Sequence, residues 1–363
     1  MGRRGDPVAV LEAIYSLEHD DDTWLDEVHA AFGPILDDGF GTALVAFETR
    51  GEVARVSSLR FRGPIAEQGT ELFKLHEQRC FEYDNGQAPP PPCHESRFFL
   101  DLPPCSMSHA TFRAPPRSGA RTKDARAEDP FLRDWRATKG TAGPRLDDIL
   151  QVRSDGEPGR GVVFGAGRKS GGVPKDIEGL APRLASHLGA MLRLRGRRQG
   201  GAMQRGPEGG DAILTFDGKL SHARADATTH ASRDALQHAA RMVDRARGKL
   251  RRTEPETALA LWGAMVAGRW TLVEQFDHDG KRFMVAYRNH VASPSATFCN
   301  LGQRERQVAT LAALGHSNKL IAYELGLSVS AVSAYLARAA KKLGADSRVA
   351  LVRLYRDSLV PRT

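Results

Sequence analysis

The chain has 363 residues, 41% of them hydrophobic, and carries 52 Lys and Arg against 44 Asp and Glu, a formal net charge of +8. That length allows two or three domains, each large enough to bury a core. Four cysteines at irregular separations argue against a disulfide framework. No run approaches the ~18 apolar residues of a membrane span, and no signal-peptide apolar region is apparent, so a cytoplasmic chain with no membrane partner is expected.

Val8, Leu11, Ile14 and Tyr15 share one helical face. A second helix is predicted from Thr23, capped by pairing with Asp26, presenting Trp24, Val28 and Phe32, and bending or ending at Pro34. Asp20, Asp21 and Asp22 lead into that helix rather than standing at successive strand ends, so they read as a solvated cap and not as a phospho-acceptor site. The runs Thr42 to Glu48 and Val53 to Phe61, split by Thr49-Arg50-Gly51, predict an antiparallel hairpin. Pro64 then opens a helix through Leu72, Phe73 and Leu75, and Phe98 to Leu100 suits one short strand between two proline-rich stretches.

Cys80, Cys93, His94, Cys105 and His109 cluster in this region. Zinc sites use two pairs of ligands, each pair two to four residues apart, whereas here only Cys105 and His109 are usefully spaced. No metal and no cofactor are expected.

Strands over Ile149 to Arg153 and Gly161 to Phe164 follow. The stretch Gly165 to Gly172 lacks the Gly-Lys step and the immediate helix of a phosphate-binding loop, and is expected to be an interstrand loop. Ile177, Leu180, Ala181, Leu184, Leu188 and Leu192 then form one apolar helical stripe. Helix, hairpin, further strands and closing helix, over residues 1–195, resemble a GAF-type sensor domain by analogy of element order.

Residues 196–210 are basic and glycine-rich and predict a linker. Residues 211–292 form a second unit. A strand from Ala212 to Phe216 turns at Asp217-Gly218 into Leu220, and a helix runs through Leu236, Ala239, Val243, Ala246 and Leu250. A capping box of Thr253 and Glu256 starts the next helix. Trp270, Leu272 and Phe276 alternate, Asp279-Gly280 turns, and Phe283, Val285 and Tyr287 alternate again. This order is similar to a small PAS-like module.

From Ala296 to Thr363 there are ten Lys/Arg against four acids, so six of the eight net positive charges lie in the last 68 residues. Ile321, Ala322 and Leu325 are apolar at helical spacing, Gly326 follows, and Val332, Leu336, Ala339 and Leu343 form a second helical series. A glycine between two short amphipathic helices lets the second cross the first, a helix-turn-helix. Ser317 and Ser328 are placed to cap the two helices. The outward face of the second helix, Ser330, Ala331, Ser333, Ala334, Tyr335, Arg338 and Lys341, is mostly small, with hydroxyls first and cations last. Such a face fits a major groove. Asn318 and Lys319 stand at a helix N-terminus, where N–H groups favour phosphate.

This segment resembles the DNA-binding domain of the LuxR family of bacterial transcriptional regulators. The matching positions are Leu301, Arg304-Glu305, Val308, Leu311, Gly315, Ser317-Asn318-Lys319, Ile321-Ala322, Leu325, Leu327-Ser328, Val332, Leu336, Lys342-Leu343-Gly344 and Ser347-Arg348. The resemblance implies a four-helix unit whose third helix reads DNA and whose fourth often forms a dimer contact. It departs from the family at Gly302, usually Thr, at Ala331, usually Thr, and at Ser333 and Tyr335, usually Lys and His. No base preference is therefore carried over.

The whole chain reads as a multidomain α+β protein, with an antiparallel-sheet, sensor-like N-terminal region and an all-α four-helix helix-turn-helix domain over 296–363. The expected DNA-binding set is Ser317, Asn318, Lys319, Ser328, Ser330, Ala331, Ser333, Ala334, Tyr335, Arg338, Lys341 and Lys342. The expected partners are double-stranded DNA, a second copy of the chain and, further out, RNA polymerase, with no ligand identified. The alternatives are a sigma-factor-like protein with a region-four-type helix-turn-helix, a non-catalytic interaction scaffold, and an enzyme with an appended helical domain. For the last, no paired carboxylate or nucleophile–base set is apparent.

Overall fold

The computed structural model describes residues 5–50, 53–71, 74, 107–110, 148–157, 160–168, 174–199, 209–266, 270–276, 282–288, 301–313 and 316–359. Contacts divide the chain into two compact units. One comprises Met1–Gly5, Phe32–Asp155 and Gly159–Pro182; the other comprises Asp6–Ala31, Gly156–Pro158 and Arg183–Thr363.

Helix α1 (Pro7–Ile14) starts at Asp6, whose carboxylate accepts from the Val8 N–H at 2.9 Å. Helix α2 (Asp21–Leu36) begins before Thr23. Asp20 accepts from the Thr23 N–H at 2.8 Å, so the cap is an acid ahead of the first turn and not a Thr23–Asp26 pair. Pro34 lies inside α2 rather than ending it, and Asp37 N still donates to Gly33 O at 2.9 Å. So near the helix end, a proline removes one donor and leaves the turn after it intact.

The sheet of the first unit contains β1 (Thr42–Arg50), β2 (Val53–Arg62), β3 (Met107–Ala110), β4 (Asp148–Glu157) and β5 (Arg160–Arg168), in the order β2-β1-β5-β4-β3. The hairpin of β1 and β2 pairs Thr42 with Arg62, with a bulge at Ala46/Phe47. Gly41, at φ +96°, must be glycine, because a Cβ there would stand 2.3 Å from the Arg62 carbonyl. Central β5 buries Val162, Val163, Phe164 and Ala166, and Phe32 stacks on Phe164 with centroids 4.2 Å apart. Gly165 to Arg168 belong to β5 and not to a loop, because they pair with β1 through Gly165 and Ala166. Gly63–Ile65 forms a 3-10 turn leading into helical residues 66–71. Leu72, Phe73 and Leu75, the strand expected at Phe98, the remaining residues of the Gly165 to Gly172 stretch, and Cys80, Cys93, His94 and Cys105 lie outside the described residues.

Helix α3 (Lys175–Gln199) buries Ile177, Ala181, Leu184, Leu188 and Met191 and continues four residues into the stretch expected as linker. Its basic end is held by a carboxylate and by backbone carbonyls. Arg195 donates to Asp21 at 2.6 Å and to the Ser16 carbonyl at 3.0 Å while lying 4.4 Å over the Trp24 ring. Arg197 donates to the Arg288 carbonyl at 2.7 Å. Arginines engaged this way serve packing, not a free cationic strand.

In the second unit, β6 (Ala212–Leu214), β7 (Leu220–Ala223), β8 (Trp270–Phe276) and β9 (Arg282–Arg288) form an antiparallel sheet in the order β7-β6-β9-β8. The Asp217-Gly218 turn forms, with Thr215 N donating to Lys219 O at 2.9 Å. Helices α4 (His230–Arg247), α5 (Leu250–Thr253) and α6 (Pro255–Val266) lie between β7 and β8 in the chain, and α6 packs on α4, α1 and β8. Thr253 ends α5, so it forms no capping box with Glu256; the Glu254 carboxylate accepts from the Thr257 hydroxyl at 3.0 Å instead. Helices α7 (Gln303–Ala313), α8 (Asn318–Leu325), α9 (Val329–Lys342) and α10 (Arg348–Leu359) follow.

Candidate nucleic-acid interface

The last helices share a core of Leu301, Val308, Ala312, Ile321, Leu325, Val332, Leu336, Ala339 and Leu351, built from the apolar periods of all four. Each end is fixed locally. Gly302 lacks a capping hydroxyl, but its N–H donates to the Glu305 carboxylate at 2.7 Å, the acidic half of a capping box. Ser317 accepts from Leu320 N at 3.3 Å and Ser328 from Ala331 N at 3.1 Å. Gly326 ends α8 at φ +60°, ψ +38°, and Leu327 N then reaches the Ala322 carbonyl at 2.9 Å. The two helices meet at 104°, within the range of a helix-turn-helix. Replacing Gly326 by Ala places a Cβ in the left-handed region and is expected to lower stability by about 1–2 kcal/mol, measured by urea denaturation; an unchanged midpoint would refute that requirement.

On α9, Ser330, Ser333, Ala334, Arg338, Lys341 and Lys342 are exposed, while Val332, Leu336 and Ala339 face inward. Ser317, Lys319 and Ser328 are also exposed, and Asn318, Ala331 and Tyr335 are half-buried. The expected residues therefore do share one region, but they are not equally free. Tyr335 packs against the core, with the Arg338 guanidinium 4.5 Å over its ring. Lys342 donates to Glu305 at 2.7 Å, and Arg338 lies 3.6 Å from the same carboxylate. Lys342 holds the Glu305 carboxyl below the usual carboxylate range. Lys342 is thus engaged within the domain, whereas Lys319 and Lys341 present exposed ammonium groups.

Asn318 and Ser333 are tied together. The Asn318 amide donates to the Ser333 hydroxyl at 3.0 Å, and Ser333 donates to the Val329 carbonyl at 3.1 Å. Arg348 donates to the Asn318 side-chain carbonyl and, at 2.8 Å, to the backbone carbonyl of His316. Sequence reading placed no role on Arg348; its signal was a cation opening the helix after α9, thirty residues from its partner. On α10, Leu351 is buried core and Leu354 is exposed, while the Tyr355 side chain lies outside the described residues.

Among the described residues, no group of three or more His, Cys, Asp or Glu side chains is arranged to hold a metal ion, and no single helix is long and apolar enough to cross a membrane. No curated protein and no solved structure matches the chain. Residues 299–355 match the family model GerE, bacterial regulatory proteins of the luxR family. The matched span runs from ahead of α7 into α10 and takes in both capped helices and the Gly326 turn. It is thus the C-terminal region of this chain that carries a luxR-family regulatory domain.

Proposed function

We propose that the protein is a transcription regulator that binds duplex DNA by placing α9 in the major groove. The observation that supports this best is the exposed face of α9 within a luxR-type domain. Ser330, Ser333 and Ala334 are small enough to approach base edges, and Arg338 and Lys341 follow one and two turns on. Lys319, exposed at the N-terminus of α8, neutralises a phosphate beside the groove, and the free N–H groups of that helix end favour the same anion. The two antiparallel sheets with their helices serve signal sensing or pairing of two copies. The proposed action on transcription involves no cofactor.

A mobility shift of the full chain on duplex oligonucleotides at increasing salt tests the reading. Lys319→Ala is expected to weaken binding to every sequence and to reduce the slope of log affinity against log salt by about one unit. An unchanged slope would remove Lys319 from the phosphate contacts. Absence of binding even in dilute buffer would remove the function.

A further inference from the structure

Glu324 lies on α8 away from the exposed DNA-facing set and is buried, as are Ser186 and His316. Within the second unit, the Ser186 hydroxyl on α3 donates to Glu324 Oε1 at 2.7 Å. The same carboxylate oxygen lies 2.8 Å from His316 Nδ1, in the residue just ahead of the Ser317 cap. The His316 backbone carbonyl accepts from Arg348, Arg348 also holds Asn318, and Asn318 holds Ser333 on α9. A continuous run of polar contacts thus joins α3 to the two residues that tie the phosphate-facing and groove-facing helices.

A second set of contacts braces the same helix. His187 on α3 stands 2.8 Å from the Tyr15 hydroxyl and 3.1 Å from the Tyr323 hydroxyl, and stacks edge-on against both rings. Gly263 on α6 leaves room for the Tyr323 ring, since a Cβ there would lie 2.9 Å from it. Close packing on this side leaves α8 little room to shift independently of α3.

We propose that Ser186 is a positioning residue for DNA recognition, setting the placement of Asn318 and Ser333 through Glu324, His316 and Arg348. The proposal rests on the DNA-binding reading above. Serine to alanine in a helix interior carries no helix-propensity penalty, so Ser186→Ala acts on the fold only through the one hydrogen bond it takes from the buried Glu324.

The test is a double-mutant cycle in the full chain, with affinity for a duplex oligonucleotide as readout. Ser186→Ala is expected to bind about two- to thirtyfold more weakly than the unaltered protein, the range of mutations that act on a coupling route without touching the ligand. In an Asn318→Ala background the same change is expected to have no further effect, because the end of the run is already missing. Unchanged affinity in the unaltered background overturns the proposal, and so does an equal loss in both backgrounds, which marks a general effect on stability. If the unaltered protein binds no duplex in dilute salt, the DNA-binding reading fails and takes this proposal with it, before any variant is compared.

Discussion

Replacing Glu324 by Ala is expected to destabilise the second unit by about 3–5 kcal/mol, the usual loss when one partner of a buried charged contact is removed. The side chain is buried, with Ser186 on one side and His316 on the other, both themselves buried. Burial alone raises the Glu324 carboxyl, but the facing His316, together with Arg193 and the Ser186 hydroxyl, offsets this and leaves it below the usual carboxylate range. Truncation takes away the acceptor of the buried Ser186 hydroxyl and the carboxylate facing the His316 ring, and the loss of such buried polar contacts accounts for most of the effect. The pair itself is a weak source of net stability, since desolvation opposes it. Glu324→Gln keeps the volume and one acceptor and is expected to lose less. Equilibrium unfolding in urea of the full chain compares the three proteins, and a loss below about 1 kcal/mol for Glu324→Ala would show that the site relaxes or admits water.

What was legible beforehand follows from how far each interaction reaches. Ser317, Gly326 and Ser328 act on backbone groups within five residues, so their chemistry could be read from spacing alone. The β1–β2 and β8–β9 hairpins carry their pattern in alternation and in a nearby turn. Contacts between distant residues left no such mark. Lys342 stood in the expected DNA-binding set, yet its ammonium meets Glu305, 37 positions earlier. Arg197 had the look of a basic linker, yet it donates to the Arg288 carbonyl, 91 positions later. Tyr335 was placed among the outward residues, but it is half-buried and packs against the core. Tyr323 and Glu324 were passed over because only the apolar positions of α8 defined its buried face, and a second, polar face turned towards α3 has no periodic signature. For the same reason element order alone supported only an analogy for the two sheets.

His187 makes acid lability the other large expected effect. Its ring is fully buried, and burial pushes its pKa from 6.5 down to about 3, with the Glu324 charge acting in the opposite direction. The folded protein therefore keeps a neutral imidazole between Tyr15 and Tyr323, while the unfolded chain takes up a proton below about pH 6.5. Over that interval the unfolded state binds more protons, so stability rises with pH and falls on acidification. The loss begins near pH 6.5, is complete near pH 3, and amounts to several kcal/mol at about 1.4 kcal/mol per unit of separation. Glu324, with its lowered carboxyl pKa, adds a further loss only below about pH 4.5, where the unfolded carboxyl protonates. The two contributions separate by pH. His187→Gln retains a polar side chain that does not titrate, so it is expected to start less stable at pH 7 and to lose less between pH 6.5 and 4.5. Parallel stability curves for the two proteins across that interval would mean that His187 is protonated in the folded state, and that the contacts to Tyr15 and Tyr323 survive with a charged ring between them.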